Sequence, residues 1–149
     1  HNCLEELNFD HQKILSSFDE LEKIVSKNPI DREKVKEFLA FTQNFSEPHH
    51  QKEEKILFPM LEKKGIPSEG GPIGMMLLEH ETQRANIKKI KEGIDGSDEE
   101  KIKANSIAAV SLMREHIFKE DNILYPCAKD VLTAEELIFL GEECAKLQI

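Results

Sequence analysis

The sequence lacks most of the features that mark membrane or secreted proteins. None of its apolar runs approaches the ~18 to 20 residues that a membrane span requires, and it does not open with a signal-peptide pattern. Its three cysteines, Cys3, Cys127 and Cys144, are odd in number and far apart, so they predict free thiols rather than a disulfide framework or a CxxC motif. We therefore expect a soluble, cytoplasmic protein that does not bind a membrane.

Basic residues are also in short supply. The 149-residue chain has 20 Lys and Arg against 29 Asp and Glu, which gives a formal net charge of −9. The phosphate backbone of DNA or RNA attracts clustered Lys and Arg, so this excess of acid argues against a nucleic-acid partner. Hydrophobic residues make up 39% of the chain and charged residues 33%, an ordinary balance for one globular domain over residues 1–149.

Alternating β-branched residues, the mark of strands, are missing too, and turn signals divide the chain into helical segments. The predicted helices are A over about 4–27, B over 31–63, C over 73–94, D over 98–130 and E over 134–147. Long helices joined by short loops pack as antiparallel neighbours. The sequence thus predicts an all-α fold, an up-down four-helix bundle over about 4–130 with an additional C-terminal helix.

Prolines and capping residues refine these helices. Thr133 and Glu136 have the spacing of a capping box at the start of helix E. Pro48 and Pro59 fall inside helix B and Pro126 inside helix D. Because proline removes a backbone hydrogen bond, each of the three predicts a kink or an early stop.

Each bundle helix places a histidine in its own inward-facing apolar series. The series in helix A is Leu4, Leu7, His11, Ile14, Phe18, Leu21 and Val25. In helix B it is Val35, Phe38, Thr42, Phe45, His49, Glu53, Ile56 and Met60. In helix C it is Ile73, Met76, His80, Arg84 and Ile87. In helix D it is Ile102, Ser106, Ala109, Met113, His116, Glu120, Ile123 and Cys127.

The inward glutamates, Glu53 and Glu120, require a cation. An isolated ionised carboxylate in a core costs more free energy than the ~5 to 15 kcal/mol of net stability of a typical fold. Arg84 competes for this role and would give a salt-bridged core, but that core leaves four inward histidines unexplained. Imidazole with carboxylate is the usual ligand set of iron, manganese or zinc, and HxxxE spacing puts both donors on one helix face. We therefore favour a metal site.

The metal hypothesis also explains a repeat. Residues 49–59 read HHQKEEKILFP and residues 116–126 read HIFKEDNILYP, so each half of the chain supplies one histidine on its first helix and HxxxE on its second. Four histidines and two glutamates over-fill one ion and suit two. Carboxylates from facing helices commonly bridge metal pairs in bundle cores.

With these motifs the chain resembles the hemerythrin-like (HHE cation-binding) proteins over roughly residues 4–130. The resemblance rests on the order H…HxxxE…EH…HxxxE, the two LFP and LYP phrases and the GGPIGMMLLEH stretch. It implies two iron ions, bridged by carboxylate and an oxo, hydroxo or water ligand; zinc or manganese would accept the same set. The implied metal ligands are His11, His49, Glu53, His80, His116 and Glu120.

Four residues keep alternative roles open at this stage. Oxygen-carrying members have a fifth histidine four positions along the third helix, where this chain has Arg84, so one imidazole is expected to be missing. His50 with Glu54 forms a second HxxxE pair, although a role outside the metal is favoured for His50. Asp121 keeps the carriers' Asp spacing, while Glu120 fits the series better. For Tyr125 a packing role is favoured over hydrogen bonding to the site.

The resemblance implies three functional hypotheses. The first is a diiron protein that reacts with or senses peroxide, nitric oxide or oxygen, whether or not as an oxidoreductase. The second is a binding module for metal or oxygen sensing or for iron storage, without catalysis. The missing imidazole argues against the third, reversible oxygen carriage. The apolar face of helix E either covers the bundle or is the surface through which a protein partner or a homodimer would bind.

Overall fold

The computed structural model describes residues 2–147, and helices occupy most of that span. Helix α1 covers Cys3–Ser26, α2 runs over 32–63, α3 covers Pro72–Asp95, α4 runs over 99–131 and α5 covers Ala134–Lys146. No strand occurs in residues 2–147, which confirms the all-α fold. Helix α1 packs on α2 and α4, and α3 packs on the same two helices, so the four form a closed bundle.

Side-chain caps fix the starts of four helices. Asn2 and Thr133 form capping boxes with Glu5 and Glu136, which confirms the box expected at α5. The carboxylates of Asp31 and Asp98 accept hydrogen bonds from the first-turn amides of α2 and α4 in the same way. These caps satisfy backbone N–H groups that a helix start otherwise leaves unpaired.

The prolines inside α2 and α4 follow π-helical turns. These turns cover Thr42–Ser46, Glu53–Leu57 and Glu120–Leu124, and each ends two residues before a proline. The N–H of the residue preceding each proline donates to the carbonyl five positions back, as Tyr125 does to Glu120. The wider turn accommodates a ring that lacks an N–H. The helices therefore continue to residues 63 and 131, and the early stop expected at these prolines does not occur.

Each π turn contains one residue more than the corresponding α-helical turn. The side chains that face inward after it are therefore shifted by one position. Along α4 the expected series is buried as far as Glu120, but Ile123 is 55% exposed whereas Leu124 is 1% exposed. Ala128 is likewise buried and Cys127 only partly so. The inward positions expected for Ile123 and Cys127 were wrong by one residue, because regular α-helical periodicity does not include the π turn.

Two apolar clusters fill the bundle, one on each side of a polar layer. One contains Leu7, Leu61 and Leu124, and the other contains Phe18 and Ile102. The apolar face of α5 belongs to the first cluster through Leu137, Leu140 and Cys144. Of the two roles left open for this face, the structure therefore shows that it covers the bundle. Among the helices of residues 2–147, none has both the length and the hydropathy of a membrane span.

Candidate metal centre

The polar layer contains the six residues singled out from the sequence. They come from all four bundle helices, and each is at most 2% exposed: His11, His49, Glu53, His80, His116 and Glu120. Helix α1 supplies one imidazole and α3 another, while α2 and α4 each supply a histidine and a glutamate one turn apart. The glutamates Glu53 and Glu120 are the first residues of π turns, the kind of helical irregularity that is frequent at functional sites.

The donor atoms form two clusters that share a glutamate. One cluster consists of His50, Glu53, His80 and His116 and the other of His11, His49, Glu53 and Glu120; within each, one ligand atom per residue lies within 4.8 Å of the others. Glu120 also extends between the clusters, since its Oε1 lies 3.1 Å from His11 Nε2 and 3.3 Å from His116 Nε2. Both carboxylates thus stand between the two groups of imidazoles.

His50 is a member of this layer that sequence reasoning placed outside it. It is buried, and its ring centroid lies 4.3 Å from that of His80. Its neighbour His49 lies against His11, with ring centroids 4.9 Å apart. Because α2 contacts α1 on one side and α3 on the other, two consecutive residues both face inward. The polar layer therefore contains five imidazoles, one more than was expected from the sequence. The two adjacent histidines in HHQKEE were the sequence feature that could have indicated the fifth.

A ring of four carboxylates surrounds the imidazoles. We call Asp10, Glu54, Glu79 and Asp121 the outer carboxylates. They accept hydrogen bonds from the Nδ1 atoms of His49, His80, His116 and His11, at 3.0, 2.6, 3.0 and 2.7 Å respectively. In each pair the carboxylate comes from the preceding helix, with α4 preceding α1. An Nδ1–H that donates outward leaves the Nε2 lone pair directed at the centre, as metal-ligating histidines require.

Several of the inward atoms have no hydrogen-bond partner among the described residues. These buried atoms are Nε2 of His49, His80 and His116, Nδ1 of His50, Oε1 of Glu53 and Oε2 of Glu120. Buried polar atoms are nearly always paired, because leaving one unpaired costs about 1–3 kcal/mol. Nitrogen lone pairs and carboxylate oxygens that converge on the same space repel each other unless a cation lies between them. The donor set therefore fits bound metal ions.

No lysine or arginine in residues 2–147 neutralises the two central glutamates. Arg84 donates instead to Glu47, Glu54 and Glu81, and Lys119 binds the outer carboxylate Glu79. The salt-bridged core that competed with a metal site is thus absent from the described residues. Arg84 acts on the site indirectly, because the Glu54 carboxylate that it holds also orients His80.

The carboxylates change the proton affinity of the metal-free imidazoles. Burial alone lowers the pKa of His11 and His80, but hydrogen bonds with the facing carboxylates outweigh it and raise both pKa values to about 10. Burial instead lowers the pKa of His50 to about 3. Below pH 10 the metal-free chain therefore holds protons on His11 and His80 that an incoming ion must displace. Metal affinity should accordingly fall as the pH is lowered.

Tyr125 contacts the centre directly, contrary to the packing role favoured from the sequence. Its hydroxyl donates to Glu53 Oε2 at 2.6 Å and lies 3.4 Å from His11 Nε2. Its ring stacks on that of His11, with centroids 5.4 Å apart. A hydrogen-bond donor therefore fixes the carboxylate shared by both clusters. The tyrosine comes within reach because the π turn at Glu120–Leu124 rotates it inward.

Replacing the outer carboxylate Asp121 by asparagine should weaken metal binding without removing the site. The amide no longer stabilises the donating Nδ1–H of His11 as a carboxylate does, and loss of such a partner typically costs about 10- to 100-fold in metal affinity. Competition with a chromophoric chelator measures the change. Asp130→Asn, an exposed position on the same helix, is the matched control. Equal affinities for the two variants would contradict an orienting role for Asp121.

Comparison with known proteins agrees with this geometry. The hemerythrin HHE cation-binding domain matches residues 3–128, which include all four bundle helices except the last turn of α4 and contain every donor of the two clusters. No curated protein sequence matches the chain. Because the match covers well over half of the sequence and the His and Glu clusters fit its motif, the chain belongs to the hemerythrin HHE cation-binding family.

Proposed function

We propose that the two clusters hold a pair of iron ions and that this centre reacts with or senses peroxide, nitric oxide or oxygen. The proposed ligands are His11, His49, Glu53, His80, His116 and Glu120, together with His50. The observation that carries the proposal is the position of Glu53, whose carboxylate is shared by two clusters of inward-directed imidazole nitrogens. Imidazole and carboxylate ligands suit both common oxidation states of iron, which favours it over zinc or manganese.

The two clusters differ in a way that suits the binding of a small molecule. One has three imidazoles and the other only two, His11 and His49. Bound iron would supply redox chemistry and coordination positions left open by the protein. An ion in the two-imidazole cluster would have one imidazole fewer, and on that side the Tyr125 hydroxyl lies close to His11 Nε2. Because its single proton is donated to Glu53 Oε2, that hydroxyl could accept a hydrogen bond from a protonated small molecule such as hydrogen peroxide, and the apolar clusters on either side limit entry of water.

Spectroscopy of the iron-loaded protein tests this function. Reduced protein should change its visible spectrum when mixed with hydrogen peroxide, nitric oxide or oxygen, and metal analysis should find two equivalents of iron. Zinc-loaded protein is the control, because its d-electron shell is filled. An iron-loaded protein whose spectrum responds to none of the three molecules would overturn the reactive function, even if two equivalents are bound.

A second candidate is a metal-sensing or iron-storing module without catalysis. The outer carboxylates favour it, since they join all four helices to the imidazoles and make the fold respond to metal occupancy. A large rise in melting temperature on metal loading, without peroxide turnover, would support this function. Reversible oxygen carriage was disfavoured because one imidazole was expected to be missing, and the five inward imidazoles remove that objection. An oxygen carrier would bind and release oxygen repeatedly without loss of its reduced form.

A further inference from the structure

A long groove lies between α2 and α3 and extends from the protein surface to the candidate metal centre. Its volume is about 610 Å³, within the range of small-molecule sites. Lys36 and Asp95 line one end, and His50 and His80 line the other. Fourteen residues of α2 separate Lys36 from His50, so the groove is roughly 20 Å long at 1.5 Å per residue. A site of this shape suits an elongated molecule.

The walls of the groove are mostly apolar. Phe18 of α1 contributes to the lining, together with Leu39 and Ala40 of α2 and Ile87 and Ile94 of α3. Apolar surface of this kind binds hydrocarbon by removing it from water. The hydrophobic contribution therefore favours a ligand with an alkyl chain.

Two polar residues are part of the groove wall. Thr42 and Ser46 are among its lining residues, and the hydroxyl oxygens of both are buried without a hydrogen-bond partner among the described residues. Ser46 is only 3% exposed. Both belong to the first π turn of α2, one turn before His50. A few polar residues in an otherwise apolar wall are typical of ligand sites.

The charge of the groove is opposite to that of the whole protein. Four basic side chains line it against two acidic ones, Glu47 and Asp95, although the chain as a whole carries −9. Arg84 is already paired with Glu47, and Lys36 with Glu33. Lys88 and Lys91 form no ion pair with the described residues and are exposed. They follow His80 by eight and eleven residues, or roughly 12 and 16 Å along α3.

We propose that this groove binds a fatty-acid-like molecule, with its carboxylate at Lys88 and Lys91 and its alkyl chain along the apolar walls toward His50 and His80. The length of the groove and the two unpaired lysines carry this assignment. The methyl end of the ligand then lies beside the candidate iron centre, a position that matters only if the proposed function is correct. Binding itself depends on the groove and not on metal.

Calorimetric titration with dodecanoate, below the concentration at which it forms micelles, tests the proposal. Dodecanoate should bind the metal-loaded protein at least tenfold more tightly than dodecyltrimethylammonium, which has the same chain and the opposite charge, whereas acetate should not bind measurably. Equal binding of the two long-chain ligands would overturn recognition of the carboxylate. Failure of dodecanoate to bind more tightly than acetate would overturn the groove as a site.

Two pairs of variants locate the ligand. The double variant Lys88→Glu, Lys91→Glu should weaken dodecanoate binding about tenfold or more. The double variant Lys89→Glu, Lys103→Glu changes the net charge equally at exposed positions outside the groove and should leave binding unchanged. Ala40→Trp should block the groove and abolish binding, while Ala85→Trp, on the outer surface of α3, should not. Unchanged binding in the first variant of either pair would refute the assignment.

Metal analysis of the same samples separates the two proposals. Two equivalents of iron without dodecanoate binding would refute the groove assignment alone. Dodecanoate binding by protein that takes up no metal would refute the proposed function alone.

Discussion

Replacing Glu53 by alanine is expected to abolish metal binding at both clusters. The Glu53 carboxylate belongs to both clusters and would be their shared ligand, it is fully buried, and its Oε1 has no hydrogen-bond partner among the described residues. Its loss also leaves the Tyr125 hydroxyl without its acceptor at 2.6 Å. Elemental analysis after metal loading should therefore show a fall from two equivalents to none.

The melting temperature gives an independent measure of the same change. Metal at about a thousand times its Kd stabilises a folded chain by about 4 kcal/mol, which for a chain of this length raises Tm by about 10 °C. Metal loading should produce a rise of this size in the unmodified protein and almost none in Glu53→Ala. Glu62→Ala, at an exposed position on the same helix, should behave as the unmodified protein. Two equivalents of metal retained by Glu53→Ala would contradict its assignment as a shared ligand.

Replacing His50 by leucine should change the stability of the metal-free and metal-loaded forms in opposite directions. In the metal-free chain this imidazole is buried, and its Nδ1 has no hydrogen-bond partner among the described residues. Burial lowers its pKa to about 3, so it is neutral at ordinary pH. An apolar side chain of similar volume removes the cost of an unpaired polar atom, about 1–3 kcal/mol, and should raise the Tm of the metal-free form.

The metal-loaded form of the same variant should lose stability and bind less metal. With His50 replaced, the three-imidazole cluster keeps only His80 and His116, so the affinity of that cluster should fall by more than the roughly 100-fold limit seen when a supporting residue is lost. Thermal melts with and without metal, read beside metal content, test both signs. If His50 were a packing residue only, leucine would shift the two melting temperatures equally.

Regular helical periodicity predicted the parts of the site that lie on α1 and on α4 as far as Glu120. All seven positions expected to face inward along α1, including His11, are buried. In α4 the series holds from Ile102 through Glu120. Both helices are regular over those ranges, so a fixed angle per residue describes them well. The fold class followed from the same regularity.

The parts that could not be predicted depend on irregular turns and on contacts between helices. The π turn that begins at Glu53 buries Leu57 and leaves Ile56 only partly buried. His50 was missed because the assumption that one helix face is inward fails for a helix with two neighbours. The outer carboxylates lie outside the inward-facing series of their own helices, since each serves an imidazole of the next one. Their only sequence signal is that each adjoins a donor of the centre, as Asp10 adjoins His11.

The outer carboxylates form a closed circuit, in which each helix both orients one imidazole of its neighbour and has its own imidazole oriented in turn. Displacing any one helix therefore breaks two of these contacts at once, so the residues around a bound ion can release it toward the groove only when several helices move together. Such concerted opening is rare in a packed bundle. Exchange of bound metal with the surroundings should consequently be slow, and the ion found in the isolated protein should reflect the metal available when the chain folded.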